Sequence, residues 1–149
     1  LISLGSTVKP NKPTLIAGVK VGMKFTKPHI LHATEYGASA VGDPRYVADG
    51  TPIGAYTVHY EDNTSETIPI IYGEDVRDWF FNDRSKGTTR GKVAWKGTNR
   101  MAAKYGAKIR LYLTTWQNPK PGVRITHIDF SSGDTPSAPF CVAMSAESE

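Results

Sequence analysis

The chain has only one cysteine, Cys141, in 149 residues. That excludes an internal disulfide and a thiolate metal cluster, so cysteine usage indicates neither an oxidising nor a reducing compartment. No apolar run approaches the roughly 18 residues a membrane span requires, and membrane insertion is not expected. The opening LISLGSTVKPNKP lacks the basic start and apolar stretch of a signal peptide and has no initiator Met. The chain therefore reads as a piece of something larger. No Gly-x-Ser-x-Gly elbow is present, and Cys141 falls in an apolar stretch where a thiol is inert. The four histidines, His29, His32, His59 and His127, show no zinc-ligand spacing. They are expected as strand residues satisfied by hydrogen bonds. Clustered charge is also missing: 18 basic and 14 acidic side chains give a net +4. The densest basic stretch, Arg84 to Lys108, is interleaved with Gly, Thr and Ala, so nucleic-acid binding is not expected.

What is present is period-two alternation between Gly- and Pro-rich turns. Tyr56, Val58 and Tyr60 alternate with polar neighbours, turn at Glu61-Asp62-Asn63-Thr64, and resume as Ile68, Ile70 and Tyr72. This predicts a β-hairpin. Further strands are predicted over 14–23, 28–35, 92–96, 108–116, 123–130 and 138–146. In the 108–116 strand Ile109, Leu111 and Leu113 are expected on the core face, with Arg110, Tyr112, Thr114 and Trp116 opposite. The apolar parity shift between Ile125 and Ile128 predicts a bulge or burial on both faces. One short helix is expected, capped by Thr98-Asn99 and stopped by Gly106. Residues 1–13, with Pro10 and Pro13, read as a linker, and 14–149 as one domain. The fold class is all-β: a jelly-roll-like antiparallel β-sandwich with one short helix.

The unusual stretch is Gly73 to Phe81, with three carboxylates, an arginine and three aromatics in nine residues. Glu74, Asp75 and Asp78 beside Arg77 could support acid–base chemistry, as in sugar cleavage. A short loop at a sandwich edge rarely provides the necessary cleft, and no enzyme is expected. Two other readings remain open. In one, the carboxylates hydrogen-bond loop amides, Arg77 pairs with a carboxylate and Trp79 plugs the core. In the other, Glu74, Asp75 or Asp78 ligates calcium, a cation that prefers oxygen. Sugar recognition would need an aromatic platform beside planar polar groups. Arg77, Trp79, Phe81, Arg110, Trp116 and Asn118 are the candidates, with Tyr36, Phe80 and Gln117 as further possibilities. For Trp79 and Trp95 taken singly, a core position is the simpler expectation.

Several segments together resemble one family. They are His29-Ile30-Leu31-His32-Ala33-Thr34, Gly54 to Asp62, Ile68-Pro69-Ile70 with Gly73 to Trp79, Arg110-Leu111-Tyr112 with Thr115 to Pro119, and Ile128-Asp129-Phe130. Over about residues 14–146 the chain resembles galactose-binding-like β-sandwich modules. These are non-catalytic appendages of large bacterial surface and signalling proteins and of glycoside hydrolases. The resemblance implies a polysaccharide or glycan partner, a structural calcium as a possible cofactor, and an extracytoplasmic or cell-surface parent. Such modules also serve as packing units against neighbouring domains, because fold alone does not fix function.

Overall fold

A computed structural model describes residues 1–148 as two antiparallel sheets packed face to face. The strands are β1 (Ile2–Ser3), β2 (Leu15–Met23), β3 (Lys27–Glu35), β4 (Pro52–Tyr60), β5 (Ser65–Ile71), β6 (Phe80–Phe81) and β7 (Lys92–Gly97). After helix α1 (Arg100–Lys104) come β8 (Lys108–Thr115), β9 (Ile125–Ser132) and β10 (Ala138–Glu147). One sheet runs β1-β10-β3-β8, with β6 and β7 both added to β8; the other runs β2-β9-β4-β5. With β6 and β7 set aside, successive strands alternate between sheets except at the β4–β5 hairpin, the double Greek key of a jelly roll. No helix of the described residues is long and apolar enough to cross a membrane.

The alternation in β4 does what its period requires. Tyr56, Val58 and Tyr60 point inward and are buried, and Ile68, Ile70 and Tyr72 meet them from β5 and the residue after it. The hairpin turns through Asn63, which takes a left-handed φ of 65°, while Asp62 accepts from the Thr64 amide and hydroxyl. Tyr56 stacks on Phe130, its ladder partner in β9, with ring centroids 4.6 Å apart. Its hydroxyl lies 3.2 Å from His32 Nδ1 in the facing sheet, so one residue ties the two layers.

The bulge expected in β9 is present. His127 pairs with His59 but Ile125 pairs with Tyr60, leaving Thr126 extra. That extra residue lets Ile125 and Ile128 both reach the core despite their odd spacing. Asn99 caps α1, accepting from the Ala102 amide at 2.7 Å, and Gly106 follows with φ 62°.

Three expectations are corrected. The β8 parity is reversed beyond Ile109, which is buried: Arg110, Tyr112 and Thr114 face the interior, while Leu111 and Leu113 are only half-buried. Of this polar face only Thr114 is paired with a side chain, its Oγ1 lying 2.8 Å from His32 Nε2. Residues 1–13 are not a loose linker: Leu4 is fully buried, Ile2 and Ser3 pair with β10, and the Gly5 amide donates to Pro13. Finally, Trp95 is not core but 47% exposed on β7.

Candidate functional site

Loops 36–51 and 72–91 meet at one end of the sandwich, over the start of β8. The second loop is held by Asp75, whose side chain is 1% exposed. Its carboxylate accepts from the Ile71 amide at 2.8 Å and from Arg90 Nε and Nη2 at 2.6 and 2.7 Å. The loop closes on itself so tightly at Gly91 that a Cβ there would sit 1.9 Å from the Asp75 carbonyl oxygen. The reading of this loop as a self-bonded cap therefore describes its geometry.

Arg77 reaches across to the first loop. Its Nη1 and Nη2 donate to the two Asp49 oxygens at 2.7 and 2.8 Å, its Nε donates to the Gly87 carbonyl, and it lies over the Tyr72 ring. The guanidinium holds the Asp49 carboxyl below its usual range. Asp78 accepts from the Phe80 amide, and burial raises its carboxyl to about 6.

Arg110 is the least ordinary group. It is 5% exposed, lies between the Phe81 and Tyr112 rings at 5.0 and 5.3 Å, and donates from Nη1 to the Lys86 carbonyl at 3.1 Å. Its Nε contact with the Asp78 carbonyl is long, 3.4 Å, and no carboxylate forms an ion pair with it among the described residues. Burial lowers its pKa. The neighbouring Tyr112 hydroxyl is also buried without a hydrogen-bond partner among the described residues. Above Arg110 opens a cleft of about 570 Å³, lined by Tyr46, Asp49, Tyr72, Arg77, Asn82 and Lys86 among others. Its volume suits a small ligand. With Asp49 neutralised by Arg77, the net charge of its walls is positive.

The six sugar-binding candidates thus divide. Arg77, Phe81 and Arg110 come together at this end. Trp79 is half-buried and packs edge-on against Phe140, covering the core rather than offering a platform. Trp116 and Asn118 lie beyond the far end of β8, on the order of 20 Å away at the usual rise per residue. Trp116 packs against the core. Asn118 is buried with both amide ends occupied: Oδ1 accepts from the Tyr60 hydroxyl and Nδ2 donates to the Phe25 carbonyl. The calcium candidates do not converge either. Asp75 is taken up by Arg90, Asp78 by the Phe80 amide, and Glu74 stands 3.5 Å from Arg90 at the surface.

Two features lay outside the sequence reading. Asp49 and Tyr46, in the connection between β3 and β4, form a wall of the cleft. On the opposite sheet His59, His127 and Asp129 bring one ligand atom each within 4.8 Å of one another. No protein-family model matches the chain, and no curated protein or solved structure is detectably similar to it.

Proposed function

We propose that this chain is a non-catalytic binding module of the galactose-binding-like kind it resembles, and that it recognises carbohydrate in the cleft above Arg110. In this reading it serves a larger bacterial protein at the cell surface. The observation that carries it is a buried guanidinium, clasped by two aromatic rings and lacking a carboxylate, at the floor of a polar cleft. A buried charge is costly unless a partner compensates it. A ligand carboxylate or sulfate would compensate it, so an acidic sugar fits better than a neutral one. Arg110 would hold the anionic group, Asp49 and Asn82 would bond hydroxyls, and the half-buried Tyr46 would pack on the C–H face of the ring.

A screen of plant, algal and bacterial polysaccharides, followed by calorimetry on the best ligand, tests this. Arg110→Lys keeps the charge but loses the fork and is expected to weaken binding about tenfold or more. Asn82→Ala and Lys86→Ala at the rim should weaken it less, without a change in melting temperature. Trp116→Ala should leave it unchanged. Absence of binding to every polysaccharide, or binding indifferent to Arg110 and the rim, overturns the proposal.

A second reading, an interaction module for a neighbouring polypeptide, is favoured by one observation. An apolar groove of about 440 Å³ opens between the edges of β2 and β10, with Leu1, Val19, Met23, Val142 and Met144 around it. Five exposed large apolar residues around one groove are more than scattered surface hydrophobes.

A further inference from the structure

From His59, His127 and Asp129 on the solvent face of the β2-β9-β4-β5 sheet, we infer a binding site for a divalent transition cation, with Zn²⁺ as the best-suited ion. His59 and His127 are direct ladder partners on adjacent antiparallel strands, and their rings stack with centroids 4.2 Å apart and 10° between planes. Asp129 lies two residues along β9 on the same face, its Oδ2 2.8 Å from His59 Nε2. Two imidazoles and one carboxylate are a common ligand set for zinc, leaving a fourth position to water.

The surrounding groups orient this set as second-shell partners do. The Thr126 hydroxyl donates its one proton to the His59 carbonyl at 3.1 Å. Its contact with His127 Nδ1 at 2.8 Å must then be filled by the ring N–H. That tautomer leaves the lone pair on His127 Nε2, the state a metal ligand needs. Asp129 Oδ1 accepts from the Gly18 amide at 2.7 Å, which fixes the carboxylate and leaves Oδ2 toward His59. Without metal, the His59 Nε2–H donates to Asp129 Oδ2. A cation about 2.0–2.2 Å from each atom replaces that proton after a small widening of the pair.

Local backbone builds the arrangement. The β9 bulge supplies Thr126, and the β2 irregularity between Ile16 and Val19 supplies the Gly18 amide, at φ 72°. The cationic side chains nearest in the sheet are Lys20, the ladder partner of His127, and Arg124. Both are exposed and long enough to swing into solvent. This site shares no residue with the sugar cleft, which lies at one end of the sandwich.

The test is calorimetric titration of ZnCl₂ into chelator-treated protein, with ring ¹³C and ¹⁵N shifts of the histidines followed in parallel. One equivalent should bind, moving the His59 and His127 signals and not those of His29 or His32. His127→Ala and Asp129→Asn should each weaken binding at least about tenfold, and Thr126→Val by a smaller factor. His29→Ala should leave it unchanged. All four positions are at or near the surface, and matching far-UV spectra and melting temperatures will verify the fold. No stoichiometric binding, or binding that persists in both ligand variants, overturns the inference.

Discussion

His32 and Asp78 titrate in opposite senses over nearly the same pH interval. Burial lowers His32 to about 4, and burial raises Asp78 to about 6. Between about pH 4 and 6.5 the unfolded chain holds a proton on His32 that the folded chain lacks, so this residue makes stability rise with pH. Between about pH 4 and 6 the folded chain holds a proton on Asp78 that the unfolded chain lacks, so that residue makes stability fall. Each contributes on the order of 2–3 kcal/mol, the His32 share the larger because its ring is more deeply buried. The two slopes largely cancel in the native protein. Urea unfolding from pH 4 to 7 should therefore show a nearly flat stability for the native chain, a rising one for Asp78→Asn, and a falling one for His32→Gln. Parallel curves for all three would refute these opposed shifts. Such facts are poorly legible in a sequence. His32 and Asp78 look like any strand histidine and loop aspartate; only the reversed face of β8, which brings Thr114 to His32 and Arg110 near Asp78, buries them.

At the scale of elements, the hairpin and the 72–91 loop show where sequence reading succeeds and stops. Alternation fixed the faces of β4 and β5 because one side of each is apolar and the other polar. It failed on β8 because both faces carry large side chains: Leu111 and Leu113, half-buried on one, and Arg110, Tyr112 and Thr114, buried on the other. Period alone cannot decide such a strand; partners decide it. The loop's self-bonded character could be anticipated from its carboxylates, but Asp49 and Arg90, the residues that pair with it, are remote or unpatterned in sequence. Asp75→Ala would leave the Ile71 amide and Arg90 without their acceptor. It is expected to cost about 2–3 kcal/mol, given the half-exposed Arg90, and to raise hydrogen exchange across 72–91. Gly91→Ala should loosen the same segment through the collision with the Asp75 carbonyl. If either variant melted like the native chain, the loop would not depend on this anchor, and the cleft above Arg110 would lose its fixed wall.

For the whole molecule, the jelly-roll order has a consequence at its first strand. In this topology β1 runs beside β10, yet only Ile2 and Ser3 pair, with Cys141 and Phe140. Among the described residues β10 is paired from Ala143 onward on its β3 side alone, and β2 on its β9 side alone. Between them lies the apolar groove. A free edge with apolar side chains beside it is a template for an added strand. The fitting occupant is an extended segment of a neighbouring polypeptide, antiparallel to β10 and continuing the lane of β1, with alternate apolar residues entering the groove. The apolar character of β2 and β10 was legible in the sequence, but their neighbours were not, because these depend on the strand order. A synthetic peptide alternating Val or Ile with Thr or Lys should shift the amide resonances of residues 142–147 and slow their exchange. The native protein should also enhance the fluorescence of a hydrophobic dye, and Val142→Lys with Met144→Lys should abolish both effects, since burying a lysine ammonium in the groove opposes any apolar occupant. Unmoved β10 amides at millimolar peptide, with no dye enhancement, would show that the lane is not an interface, and the second functional reading would fall while the sugar cleft at the other edge of the sheet stood untouched.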